Sequence, residues 1–363
     1  MTSKKVLPLA APRIYAYSSH ATALSILSTD EDYLPWFHSN YIQLCGLKDY
    51  SVTYDVPLDF YMGPRKDFNY YVNNNWLTFL STDRQLIEST CGDIIKYVVA
   101  CIDQNHYVAL HLDEFYVKER WAYQISKFDH ENLIFGYDLE RQIFNIIGYK
   151  GGNHKFEASE ISFEQFRKAY DQCDDRGDNI WRSQIFLIQK TEKNSGPFKG
   201  TYVFDLELVI QTIEEYLESK DTARNFSMFQ NNLTHFVFGL EVYPFIKSNL
   251  THYWHDFRPL HVLFEHKSCM VDRIQYLKDN GYLAEEDYQY LHEAYSKMVR
   301  TCVLMRNTQI KYIAIRDQVK DSHLQLHKIV TELDRLAVFE KEVLEYMLDA
   351  LRTDEYPNRL SSK

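Results

Sequence analysis

No stretch of this sequence approaches the ~18 apolar residues of a membrane helix. No block of lysine and arginine offers the basic face that a nucleic-acid backbone needs. The 363 residues carry a formal net charge of −11, and the acidic residues are spread rather than gathered in a tail. Neither a membrane nor a nucleic acid is therefore expected as a partner. Cysteine is sparse: Cys45, Cys91, Cys101, Cys173, Cys269 and Cys302 include no Cys-x-x-Cys pair. Neither a zinc site nor a disulfide framework is signalled, and a reducing, cytoplasmic setting is expected. The Asn-x-Ser/Thr triplets at Asn225, Asn232 and Asn249 then say nothing about glycosylation. The apolar stretch near the N-terminus is broken by Pro8 and Pro12 and is shorter than a signal peptide's apolar region. Glycine-rich phosphate loops, dinucleotide fingerprints and the Gly-x-Ser-x-Gly elbow are all missing, so no cofactor is expected.

Tyrosine is abundant, 28 residues against 12 glycines and 9 prolines. Each tyrosine brings a large contact area and a hydroxyl that needs a partner, which suggests polar-rimmed cores. The length fits two domains. Pro35 to Leu44 reads as a short helix with Gly46 ending it, and Thr82 to Asp103 as a longer one. Tyr107–Asp113 alternates as a half-buried strand, and Asn132–Asp138 with Gln142–Tyr149 reads as a hairpin. A helix over Ser162–Cys173 and a strand over Ser183–Gln189 follow. Thr191 to Gly200 is the best boundary in the sequence. Beyond it the apolar spacing becomes helical. Tyr288, Leu291, Tyr295, Met298, Cys302, Met305 and Tyr312 keep an a/d rhythm broken at Gln309. Ile329, Leu333, Leu336, Val343, Met347 and Ala350 form a second stripe. The expected architecture is an α+β domain over 1–200 and an all-helical domain over 201–363, with a long antiparallel helical hairpin turning near Arg316–Ser322.

Two places suggest chemistry. His252, His255, His261 and His266 cluster near Asp256 and Glu265. However, His261-Val-Leu-Phe-Glu-His has one residue too many for a zinc-protease signature. The second place runs from His111-Leu-Asp-Glu-Phe-Tyr to Asp129-His-Glu-Asn-Leu-Ile-Phe-Gly-Tyr-Asp138. A histidine opening a strand, with hydrogen-bonding groups on the next strand, is how papain-like enzymes present a general base.

Asp113 to Tyr116, His130 with Ile134–Asp138, and the short helix near residue 39 together resemble the butirosin-biosynthesis protein H family, over roughly residues 14–170. The resemblance implies a papain-like first domain, similar to the peptidases that process bacteriocin leaders. It also implies transfer of an acyl group from a carrier-protein thioester, through a cysteine, to a small-molecule amine, in a natural-product pathway of the nonribosomal-peptide type. His130 matches the family's general base. The family's cysteine slot falls at His38-Ser39-Asn40, which leaves Ser39 or Cys45 as nucleophile candidates. The third member of a triad falls near Asn145 to Gly148, with Asn145 able to orient an imidazole and Asp138 as a substitute. Lys118, Arg120 and Lys127 offer a basic patch for an acyl or peptidyl carrier protein. An alternative is a noncatalytic accessory that binds a carrier protein or synthetase.

Overall fold

The structure, a computed structural model, describes residues 3–48, 56–62, 74, 76–151, 155–191, 203–222, 235–250, 255–316 and 323–352. It is a mixed α+β protein with antiparallel sheets and a helical C-terminal region. The chain forms two compact units, Met1–Tyr33 with Tyr70–Thr201 and Leu34–Asn69 with Tyr202–Lys363. The segment Leu34–Asn69, expected within a domain over 1–200, groups with the C-terminal half.

The first unit is built on one antiparallel sheet. Its strands are β1 (Lys4–Val6), β4 (Leu77–Asp83), β5 (Tyr107–Asp113), β6 (Asp129–Asp138), β7 (Ile143–Tyr149), β8 (Phe156–Ser162) and β9 (Gln184–Lys190). They run in the order β4-β9-β5-β6-β7-β8, with β1 pairing the far end of β6. The intervening β2 (Leu44–Leu47) and β3 (Leu58–Phe60) belong to the second unit. The β6–β7 hairpin closes as the sequence indicates, with Asp138 opposite Ile143. Every residue of β5 is buried, so this strand is a central one rather than the half-buried one expected.

Helix α1 (Ser18–Leu27) belongs to this unit. The single helix expected over Thr82–Asp103 is two, α3 (Arg84–Cys91) and α4 (Ile94–Asp103). Gly92 takes φ +64° and ends the first, while the carboxylates of Asp83 and Asp93 cap the two starts. Helix α5 (Phe163–Asp171) is capped by Ser162 and lays Phe163 and Phe166 on Phe144 of β7, at ring separations of 4.6 and 4.8 Å.

The second unit begins with α2 (Leu34–Ser39), which stops short of the helix expected to Leu44. Leu44–Leu47 is instead β2, the middle of a small sheet between β3 (Leu58–Phe60) and β10 (Phe236–Phe238). Gly46 does not end a helix. It lies in β2, where a Cβ would stand 2.8 Å from the Phe245 ring and 2.9 Å from Val237. The presence of β10 also means that the second half is not all-helical.

Its helices are α6 (Leu206–Leu217), α7 (Val242–Leu250), α8 (Arg258–Asp279), α9 (Glu285–Ile315) and α10 (His323–Arg352). The a/d stripe of α9 is buried from Leu291 to Tyr312, with Tyr288 only half-buried, and Gln309 fills its polar step by donating to the Asp256 carbonyl at 3.0 Å. Tyr346 near the end of α10 bonds Asp287 at the start of α9 at 2.6 Å, so the expected hairpin is antiparallel. Between these helices lies a fully buried ion pair, Lys267 with Glu340. Tyr216 and Tyr243 donate to the same carboxylate at 3.2 and 2.6 Å. Among the described residues no helix is long and apolar enough to cross a membrane.

Candidate functional site

The start of β6 is held by the loop that precedes it. Asp113, the last residue of β5, caps a short 3-10 turn, Glu114–Tyr116, and its carboxylate also accepts from the Phe128 amide at 3.1 Å. Glu114 N–H bonds the Phe128 carbonyl at 2.8 Å. The loop therefore returns to the sheet where it left, and His130 follows on a fixed backbone.

Alternation along β6 then divides the chemistry. His130 and Asn132 pair with Leu112 and Leu110 and share a face with Gly148, two residues along β7 from Ile146. Glu131 pairs with His111 and projects to the other face.

On the first face Nδ1 of His130 stands 3.7 Å from Oε1 of Glu114 and 3.1 Å from the Glu131 carbonyl. The imidazole is stacked on Phe128 at 5.3 Å and meets Tyr149 edge-on at 5.6 Å. Its side chain keeps 27% of its exposure, whereas that of Glu114 keeps 2%. Arg120, also buried, lies 3.5 Å from the same carboxylate and donates to Oδ1 of Asn132 at 2.9 Å. Asn132 in turn donates to Glu114 at 3.4 Å. Burial pushes the Glu114 carboxyl up to about 7, against the pull of Arg120 and Asn132. The guanidinium occupies the space over Gly148, where a Cβ would lie 2.7 Å from Nη2 of Arg120.

On the opposite face the Glu131 carboxylate accepts hydroxyl bonds from Ser18 and Thr22 of α1. Burial raises it to about 7, with those two bonds working the other way. Tyr149 donates to the Tyr15 carbonyl at 2.6 Å, just before α1 begins. The Nδ1 of His111 is buried with no hydrogen-bond partner. Burial, helped by the charges of His130, Arg182 and Arg84, holds this imidazole neutral by pushing it down to about 3.

The residues singled out in the sequence divide between the two units. His130, Asp138 and Asn145 lie in the first unit, Ser39 and Cys45 in the second. Asp138 is eight residues along β6 from His130, about 26 Å at the rise of a strand, and is used by the turn: it accepts from the Arg141 amide at 3.0 Å. Asn145 sits opposite Gly136, six residues along β6 from His130, about 20 Å at the same rise. The carboxylate beside His130 is therefore Glu114, not Asp138 or Asn145.

Ser39 closes α2, its hydroxyl donating to the Pro35 carbonyl at 2.7 Å and accepting from the Asp205 amide at 2.8 Å. Cys45 lies buried against Tyr61 and Phe238. The basic patch is not offered either. Arg120 is 3% exposed and the half-exposed Lys127 pairs with Asp113 and Asp129, leaving Lys118 as the exposed one of the three for which no ion pair is described.

Among the histidines, His261 pairs with Glu265 at 3.3 Å and Arg306 at 2.9 Å, and His266 bonds the Ile42 carbonyl at 2.7 Å. His252 lies outside the described residues. Among the described residues no group of three or more His, Cys, Asp or Glu is placed to hold a metal. A cavity of about 580 Å³ in the first unit is lined by Arg84, Arg167, Tyr170 and Cys173, among others, and by none of His130, Glu114 and Asn132.

Read from the sequence alone, Glu114 and Asn132 have no role of their own and Arg120 enters only a basic patch. The signal available was the pair Asp-Glu at the end of an apolar strand, where a second acid next to a capping aspartate has no helix to serve. No family model matches the chain, and no curated protein matches it.

Proposed function

We propose that the protein passes an acyl group from a carrier-protein thioester to a small-molecule amine, or to water, with His130 as general base in a papain-like first unit. The observation that carries this reading is the partly exposed His130 imidazole beside the buried Glu114 carboxylate, which Arg120 and Asn132 hold in place. An imidazole so placed accepts a proton and keeps it beside a counter-charge. The Gly-Tyr-Asp ending of β6 adds the likeness in sequence.

Neither Ser39 nor Cys45 is disposed as a nucleophile. The serine hydroxyl is bonded on both sides, and the thiol is buried against Tyr61 and Phe238. The reading is therefore direct transfer. The amine nitrogen attacks the thioester carbonyl carbon while His130 takes a proton from that nitrogen. The carbon–sulfur bond breaks as the tetrahedral centre collapses, and the departing thiolate receives the proton. Water in place of the amine gives the free acid.

The test uses the full chain with an acyl thioester and a primary amine, following amide and free thiol. His130→Ala is expected to lose about 100- to 10,000-fold in rate, while Ser39→Ala and Cys45→Ala keep most of it. An acyl adduct on either residue, seen by mass spectrometry, overturns direct transfer. A protein that binds a carrier or synthetase without consuming thioester is the accessory instead.

A further inference from the structure

The loop between β5 and β6 carries two large apolar side chains in water, Trp121 at 42% and Ile125 at 75% exposure. Exposed singly they would be unremarkable. Trp121 is not single. Its ring lies 4.9 Å from Phe128, and Phe128 is stacked on the His130 imidazole at 5.3 Å with an interplanar angle of 14°. A row of rings thus runs from solvent to the base.

The row is pinned. The neighbours of Trp121 on either side, Arg120 and Ala122, are buried, and Arg120 is the same arginine that holds Glu114 and Asn132. The Gln124 and Ile125 amides bond the Phe115 and Ala122 carbonyls, both at 3.0 Å. Gly151 donates to the Glu119 carbonyl at 2.7 Å, and a Cβ on that glycine would meet the Trp121 backbone nitrogen at 3.0 Å. An indole kept in water on a backbone fixed at this many points is preorganised to receive an apolar group.

We propose that Trp121 and Phe128, with Ile125 at the outer edge, bind the apolar chain of the acyl group whose carbonyl is presented to His130. The substrate class is then a thioester of a medium-length aliphatic acid rather than of a short or charged one. This rests on the acyl-transfer reading for the position of the carbonyl. The platform itself stands on the ring geometry. Apolar chains lie favourably on ring faces because both surfaces leave water together.

The experiment measures binding without turnover, by calorimetry on the full chain, using unreactive ketone analogues in which a methylene replaces the thioester sulfur. The octanoyl analogue is expected to bind at least tenfold more tightly than the acetyl one. Trp121→Ala should remove most of that preference and Trp121→Phe keep most of it. Ile180→Ala, which truncates another exposed apolar residue of the same unit (67% exposed), should leave it unchanged. Equal binding of the two analogues, or a preference that survives Trp121→Ala, overturns the platform. Turnover of thioesters is scored separately. A protein that prefers the octanoyl analogue yet never consumes thioester keeps the platform and loses the acyl-transfer reading. One that consumes thioesters without chain-length preference does the reverse.

Discussion

His130 and Glu131 are consecutive in the chain and serve opposite faces of one sheet. The imidazole of His130 meets Glu114 at 3.7 Å, while the carboxylate of Glu131 turns away to take the hydroxyls of Ser18 and Thr22. Two acids, each raised to about 7, therefore sit one on each side of β6. They have different work: one accompanies the proposed base, the other ties α1 to the sheet.

Glu114→Gln tests the first of these roles. Glu114 ionises near pH 7, and only its charged form favours a protonated His130. The wild-type rate should fall as pH drops through about 7, and the substitution should flatten that limb. Its cost in rate at pH 8 should be smaller than the about 100-fold or more expected for His130→Ala. A pH–rate profile identical to wild type would remove Glu114 from the mechanism.

The second acid makes stability depend on pH. A carboxyl raised from its ordinary value to about 7 binds its proton more tightly folded than unfolded. Stability is then fullest below the unfolded value and declines as pH rises toward 7. Glu131→Gln keeps an acceptor for Ser18 and Thr22 and removes the titration. Urea melts from pH 4.5 to 8 should show a smaller loss for the variant, by on the order of 3 kcal/mol at most. Parallel curves would refute the assignment.

Gly148→Ala places a methyl 2.7 Å from the Arg120 guanidinium and 3.0 Å from Asn132. Arg120 has to move, and with it the support of Glu114. The expected cost is about 1–3 kcal/mol in unfolding free energy, with a loss of thioester turnover beyond what unfolding explains. Thermal melts and rates on the same preparation separate the two.

In the second unit, Glu340→Ala leaves Lys267 buried without its counter-charge and two tyrosine hydroxyls without an acceptor. Chemical denaturation should show a loss of about 3–5 kcal/mol. Replacing both Lys267 and Glu340 by methionine should recover much of it, since apolar groups of similar size need no desolvated charge. If the double variant is no better than the single one, the tyrosine bonds and not the ion pair set the stability of this core.

How legible these features were in the sequence followed the range of the interactions. β5, β6 and β7 could be read because their apolar runs are local and the hairpin joining β6 to β7 is short. The buried faces of α9 and α10 could be read because a heptad rhythm repeats over many turns. The break between α3 and α4 was passed over because Gly92 sits inside a pattern that otherwise stays helical. β2 was read as the end of a helix because Leu-Cys-Gly-Leu carries almost no strand signal alone, and its partner β10 lies far along the chain. The same applies to the site. His130 stood out as a titratable residue at a strand start, but Glu114, Arg120, Asn132 and Gly148 come from a turn, a loop and two strands. Only the register brings them together.

The route of the chain sets a timetable for making this protein. Leu34–Asn69 emerges from the ribosome early, yet Cys45 of β2 must wait for Phe238 of β10. The carbonyls of His38 and Tyr41 likewise wait for the Arg273 guanidinium that binds them at 2.9 and 3.2 Å. Throughout that interval the edge of β2 that takes β10 is unpaired. Pairing β2 with β10 therefore closes a very long loop. Such closure delays folding more than it lowers final stability. A fragment begun at residue 201 would lack the strands against which β10 is built.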